Sequence, residues 1–294
     1  MRNPESGPAC TAIATADPRF PKVGRRPGVE SHVVHIGDVP FGGKGFAVIA
    51  GPCAVESATM IHDAAQRVAT LGADVLRGGA FKPRTSPYSF QGLGLDGLSM
   101  MREAADAQGI PLVTEVLSPE LVEAMDPHVD AFQVGARNMQ NMALLQALGE
   151  TDKPVLLKRN FGATATEWLL AAEHIATAGN DRIILCERGI RSFGDETRFT
   201  LDIAGALWAQ DRSRLPVIID PSHAIGLPAL IPRAAAATLA AGLDGLIVEV
   251  HPTPADALCD GSQALTPDQF DAMMADLETL AARRPLIARE NRQP

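Results

Sequence analysis

The stretch Phe46-Ala47-Val48-Ile49-Ala50-Gly51-Pro52-Cys53 decides the fold. Five apolar residues run without interruption and stop at Gly-Pro, the pattern of a short strand buried on both faces. The turn that follows carries no Gly-x-Gly-x-x-Gly, so the dinucleotide turn wanted after the first strand of a doubly wound open sheet is missing. Seven similar runs follow, at 73–76, 111–116, 131–134, 154–157, 182–186, 216–219 and 245–250. Helix-like segments lie between them. Residues 58–71 set Met60, Ile61, Ala64, Ala65 and Val68 at helical spacing behind Ser57, an N-cap residue. Residues 164–178, 228–241 and 267–282 follow suit, and Thr266-Pro267 is an N-cap with proline at the first helical position. Eight strand–helix units in about 240 residues predict a closed (β/α)8 TIM barrel.

Outward from that core, Ser31-His32-Val33-Val34-His35-Ile36-Gly37 and the turn after it predict a small hairpin over 31–45. Residues 1–30 hold Pro4, Pro8, Pro18, Pro21 and Pro27 without an apolar period, and are expected as a flexible arm before a 31–294 catalytic domain. The chain has 294 residues, 46% of them hydrophobic and 21% charged, with no targeting tract and no spanning apolar run. That predicts a globular cytoplasmic protein. A net charge of −9 argues against nucleic acid or an anionic membrane as the main partner. Four cysteines (Cys10, Cys53, Cys186, Cys259) are too few for a disulfide scaffold and read as thiols or metal ligands.

In this barrel class the active site lies at the C-terminal strand ends. Eight of the 26 basic residues fall at or just beyond those ends: Arg77, Lys82, Arg84, Arg137, Lys158, Arg159, Arg188 and Arg191. So much positive charge on one face suits a polyanionic ligand. The competing reading is solvated charges flanking strands. A second set, Cys53, His223, Glu249 and Asp260, follows strands one, seven and eight, which adjoin when a barrel closes. A thiolate, an imidazole and two carboxylates suit a divalent first-row metal. An inert buried thiol and a hydrogen-bonded core histidine are the alternatives. His251 shares a strand face with Glu249 and so competes as a ligand, but is expected to support the ligands from outside them.

The blocks Ile49-Ala50-Gly51-Pro52-Cys53, Lys82-Pro83-Arg84-Thr85-Ser86-Pro87, Gly135-Ala136-Arg137-Asn138-Met139-Gln140, Leu157-Lys158-Arg159, Glu187-Arg188-Gly189, Asp220-Pro221-Ser222-His223 and Val248-Glu249-Val250-His251 occur in one order. With them the chain, from about Ser31 to its last helix, resembles the 3-deoxy-D-arabino-heptulosonate 7-phosphate (DAHP) synthases of the type I-beta class. The resemblance implies a transferase that condenses phosphoenolpyruvate with erythrose 4-phosphate, the first step of the shikimate route. It also implies a divalent metal, with Mn²⁺ first and Fe²⁺, Co²⁺ or Zn²⁺ as alternatives, and a homotetramer or dimer. Carried over, the metal ligands match Cys53, His223, Glu249 and Asp260. The phosphoenolpyruvate contacts match Arg77, Lys82, Ala136, Arg137, Lys158 and Arg188. The erythrose phosphate loop matches Lys82, Pro83, Arg84 and Thr85, with Asp260 near the sugar hydroxyls. Lys82, Glu115 and His223 are the catalytic candidates, Lys82 for the aldehyde oxygen and Glu115 for the water.

The neighbouring 3-deoxy-D-manno-octulosonate 8-phosphate synthases use arabinose 5-phosphate and carry an Asn-Arg-Ser-Ser type loop where this chain has Lys82-Pro83-Arg84-Thr85-Ser86. A non-catalytic barrel serving as a regulatory partner is the remote alternative. A Schiff base at Lys82 or Lys158 is the rival chemistry. Two local departures stand out. Asn160-Phe161-Gly162 differs from the family's loop, and Cys259-Asp260-Gly261 stands where the family commonly has Ser-Asp-Gly. The second puts another thiol beside a ligand; a Cys53–Cys259 disulfide could form in the metal-free protein if the Cα atoms come within about 7 Å, and the alternative is that Cys259 faces away. The arm is too short and proline-rich for the family's fused regulatory domains, so any regulation is expected through a separate partner such as chorismate mutase.

Overall fold

The structure is a computed structural model that describes residues 17–83 and 86–283. Strands β1 (Val34–Ile36) and β2 (Val39–Phe41) form an antiparallel hairpin. The barrel strands are β3 (Ala47–Gly51), β4 (Val75–Gly78), β5 (Leu112–Glu115), β6 (Ala131–Val134), β7 (Val155–Lys158), β8 (Ile183–Glu187), β9 (Val217–Ile219) and β10 (Gly245–Glu249). They lie parallel in chain order and close through β10 on β3, with Glu249 opposite Gly51. The helices are α1 (Ala58–Thr70), α2 (Gly94–Gln108), α3 (Glu120–Met125), α4 (Met142–Gly149), α5 (Ala165–Ala178), α6 (Ile203–Arg212), α7 (Pro221–Ile225), α8 (Ile231–Ala241) and α9 (Pro267–Arg283). All eight apolar runs are barrel strands. The expected caps form: Ser57 accepts from the Met60 N–H at 3.2 Å, and Thr164 with Glu167 closes a reciprocal box. Thr266 and Gln269 form another such pair, at 3.2 and 2.9 Å.

Strand alternation divides the apolar residues into two clusters. Val48, Ala50, Leu76, Phe132, Leu157, Leu185, Ile219 and Val248 face outward and pack with helix residues such as Ile61, Leu98, Trp168 and Phe270. Ala47, Ile49, Val75, Val113, Leu156, Ile184, Ile218 and Ile247 face the barrel axis. Val34, Ile36 and Phe41 of the hairpin join this inner cluster. The His32 N–H donates to the Arg214 carbonyl ahead of β9, at 2.6 Å. The hairpin therefore closes the N-terminal end of the barrel.

The arm differs from its expected looseness over residues 20–25. Phe20 and Val23 are completely buried. The N–H groups of Lys22 and Val23 donate to the Glu173 carboxylate of α5 at 2.8 and 2.9 Å, and Arg25 donates to the carbonyls of Gln210, Asp211 and Ser213. Two buried side chains and a charge-assisted anchor outweigh the ordering cost of a proline-stiffened segment. Residues 1–16 of the arm, with Cys10, lie outside the described residues. Among the described residues no helix is long and apolar enough to cross a membrane.

Candidate active site

Continuing the inward face of each strand past its last apolar residue gives the site. Val75 leads to Arg77, Val113 to Glu115, Ala131 to Gln133, Leu156 to Lys158, Cys186 to Arg188, Ile218 to Asp220 and Ile247 to Glu249. The alternation that fills the floor with hydrocarbon thus aims polar and charged groups at the axis one step higher. Five of them, Arg77, Glu115, Gln133, Lys158 and Arg188, line a cavity of about 390 Å³ at the C-terminal strand ends. Its basic lining is Arg77, Lys82, Arg137, Lys158, Arg188 and Arg198; Pro83, Glu115, Gln133, Ala136, His223 and Asp260 complete much of the wall. Two glycines make close approaches here. Gly51 has φ +150° and a side chain on it would meet the Arg77 carbonyl oxygen at 2.1 Å; one on Gly135 would meet Glu115 Oε1 at 1.9 Å.

Two of the eight basic residues do not line the cavity. Arg159 follows the inward Lys158 and so turns outward, where Nη1 pairs with Glu187 at 3.1 Å and Asp202 at 2.8 Å. Arg191 is exposed and lies over the Phe161 ring at 4.7 Å. Arg84 and Thr85 lie outside the described residues. Sequence reading missed Gln133, Arg198, Phe161 and Phe199, which line the cavity. Phe161 and Phe199 stack at 5.4 Å, and Arg188 sits over Phe199 at 4.6 Å.

The four expected metal ligands come together. His223 Nε2 is 3.3 Å from Glu249 Oε1 and 3.9 Å from Asp260 Oδ2, and Cys53 Sγ is 3.4 Å from Asp260 Oδ2. Cys259 Sγ lies 3.0 Å from Cys53 Sγ. The imidazole is oriented by the buried Asp220, whose Oδ2 is 2.7 Å from Nδ1 and which also accepts from the His223 N–H at 2.9 Å and from the Lys158 ammonium. With Nδ1 donating, Nε2 presents a lone pair to two carboxylates. Three converging acceptors without protons between them fit a cation. Glu249 is fixed from behind by Arg77 Nη1 at 3.1 Å and Gln263 Nε2 at 2.6 Å. His251 stays outside the cluster; its Nε2 is 3.7 Å from Glu56.

Electrostatics follow from this packing. Burial pushes the Glu249 carboxyl up, but His223 and Arg77 outweigh it and bring the pKa to about 2. Asp220 is likewise held well below the usual carboxylate range against its burial, by His223 and Lys158. Burial lowers His223 despite Asp220 and Glu249, which favours the neutral imidazole that ligates metal. Lys82 donates to the Cys53 carbonyl at 2.8 Å and lies 3.0 Å from its sulfur; burial lowers its pKa, but the Cys53 and Cys259 sulfurs raise it further.

The DAHP synthetase I family profile matches residues 30–283. The phospho-2-dehydro-3-deoxyheptonate aldolase of Thermotoga maritima is 49% identical over 252 residues, covering 86% of this chain and 75% of that one. Its crystal structure superposes with a TM-score of 0.84 at 48% identity, over 86% of this chain and 74% of that chain. A truncated form of the T. maritima 3-deoxy-D-arabino-heptulosonate 7-phosphate synthase gives 0.84 at 43% identity, over 90% and 97%. The 2-dehydro-3-deoxyphosphooctonate aldolase of Syntrophotalea carbinolica is 31% identical, over 84% of this chain and 95% of its own. Fold, donor cluster and these likenesses agree: the chain belongs to the DAHP synthetase I family.

Proposed function

We propose that this chain condenses phosphoenolpyruvate with erythrose 4-phosphate and water, giving DAHP and phosphate. The observation that carries the reading is one basic cavity that meets a Cys–His–Glu–Asp cluster at the strand ends, in a chain 49% identical to a heptonate aldolase. Cys53, His223, Glu249 and Asp260 would hold a divalent cation, which when bound polarises the acceptor's aldehyde oxygen.

The remaining work falls to the chain. Lys158, Arg188 and Arg137 neutralise the phosphate and carboxylate of the enol substrate, and Arg77 adds charge while bracing Glu249. Lys82 offers a proton to an oxygen held beside Cys53. Glu115 and Gln133, opposite one another in the β5–β6 register, are the polar neutral-or-acidic pair available to orient the water that captures C2. The loop that starts at Lys82 and Pro83 would receive the acceptor's phosphate, with Arg84 and Thr85 as its next residues.

The octonate relatives motivate the rival acceptor, arabinose 5-phosphate. Phosphate release is to be measured from phosphoenolpyruvate with each sugar phosphate, with and without chelator. Release with erythrose 4-phosphate, abolished by chelator and restored by a divalent cation, is the expected result. Release with arabinose 5-phosphate alone would overturn the acceptor assignment. Release indifferent to chelator would overturn the metal. A Cys53→Ser variant should stay folded and lose both metal and turnover.

A further inference from the structure

We propose that Cys259 is a second sulfur donor of the metal centre, which makes this chain's site prefer thiophilic cations such as Zn²⁺ and Cd²⁺ over hard ones such as Mn²⁺. The inference rests on the metal reading of Cys53, His223, Glu249 and Asp260, and adds a residue to it.

Cys259 is 4% exposed, and its sulfur touches the Cys53 sulfur at 3.0 Å. The sulfurs of Cys53 and Cys259 and a carboxylate oxygen of Asp260 all lie within 4.8 Å of one another. Asp260 also belongs to the cluster with His223 and Glu249, so it joins the two sets. Consecutive residues in extended chain point to opposite sides. Cys259 and Asp260 converge instead because Asp260 is left-handed, at φ +53°, the one non-glycine residue with positive φ among the described residues. That costs roughly 1–2 kcal/mol for a non-glycine residue, though least for Asp and Asn. The turn is held on both sides: the Leu258 N–H donates to Glu56 Oε1 at 2.8 Å, and the Gln263 N–H donates to the Asp260 carbonyl at 3.1 Å.

With metal–sulfur bonds of about 2.3 Å and an S–metal–S angle of about 110°, two thiolates stand about 3.8 Å apart. The pair needs to open by only about 0.8 Å from its present contact, a small side-chain rotation. A second thiolate adds negative charge, and the site carries the compensation. The Lys82 ammonium lies 3.0 Å from Cys53 Sγ, and Arg77 is paired to Glu249. Two sulfurs, an imidazole and carboxylates form a softer set than one sulfur gives, and soft donors select Zn²⁺-like ions by ligand type.

The test uses the full chain, stripped with chelator under reducing conditions and titrated with Cd²⁺ and, separately, Mn²⁺. Wild type is compared with Cys259→Ser and Cys259→Ala. The sulfur-to-cadmium absorption band should fall by about half in both variants, because one of two thiolates is gone. Cd²⁺ affinity should drop about tenfold or more, while Mn²⁺ affinity stays within about twofold and reports an intact fold. Cadmium NMR of the wild type counts sulfur ligands without any substitution, and should report two. One sulfur by NMR, or an unchanged band in the variants, overturns the proposal. So does a Cys53–Cys259 disulfide that persists in the loaded, reduced protein. Failure of the wild type to bind either ion is a different result and overturns the metal reading itself.

Discussion

Replacing Asp220 with Asn keeps the size of the side chain and removes one acceptor. The carboxylate is completely buried and accepts three hydrogen bonds: the His223 N–H on one oxygen, and His223 Nδ1 and the Lys158 ammonium on the other. An amide has one oxygen. Turned toward Lys158 and Nδ1, it leaves an NH₂ facing the His223 N–H, and α7 loses its N-cap at a cost of about 1 kcal/mol. Turned the other way, the NH₂ faces the buried ammonium, and Nδ1 must accept instead of donate. The ring proton then moves to Nε2, the atom aimed at Glu249 and Asp260. Either arrangement leaves Lys158, which is 5% exposed at its side chain, without its counter-charge. Breaking a buried pair from one side costs about 3–5 kcal/mol. That is a large part of the roughly 5–15 kcal/mol that holds a typical domain together. Urea unfolding of the chelated protein should show a lower midpoint with an unchanged slope. Calorimetric titration of divalent metal should show affinity about 10–100-fold weaker, the usual effect of losing a carboxylate behind a metal-ligating histidine. An Asp220→Asn variant with wild-type midpoint and wild-type affinity would refute the orienting role.

Acid should unfold the metal-free protein partly through Glu249. Its folded pKa of about 2 lies below the ordinary 4.5, so its contribution is full above pH 4.5 and is lost as pH falls toward 2. The shift corresponds to about 3 kcal/mol. In chelator, wild type should lose stability faster than Glu249→Gln between these limits, and parallel curves would count against the Arg77 and His223 account. Phe41→Ala should cost about 3–5 kcal/mol in a urea melt, since the ring is fully buried in the barrel floor. A loss below about 1 kcal/mol would mean that the floor does not depend on the hairpin. Glu173→Gln should speed amide exchange at Lys22 and Val23 by about tenfold or more, because charged acceptors give about 1.5–3 kcal/mol. Unchanged exchange there would show that the arm is held by Phe20 and Val23 alone.

The barrel is legible in the sequence because parallel strands buried on both faces leave short apolar runs, and all eight are visible. The donor cluster is legible because Cys53, His223, Glu249 and Asp260 combine unusual residue types with strand-end positions. Arg159 shows where the reading stops short. Placing both Lys158 and Arg159 at the cavity overlooks that neighbours on a strand face opposite ways, and alternation alone sends Arg159 to Glu187 and Asp202. Arg198 and Phe199 carry no such signal. They reach the cavity from the loop between β8 and α6, whose path no periodicity records. Asp220 reads as part of a motif, but its role depends on Lys158, 62 residues away in sequence. The packed arm rests on two apolar residues and a glutamate of α5, too few to make a pattern.

The hairpin that seals the inner end of the barrel has a kinetic consequence. Among the described residues, a well with a hydrocarbon floor of Val34, Ile36, Phe41 and the inward strand residues opens at the C-terminal strand ends. Two reactants that share it must queue. Reactants that stack along the barrel axis would enter in order, the deeper one first. Such an order of addition would come from the closed floor of the barrel and would need no change of shape.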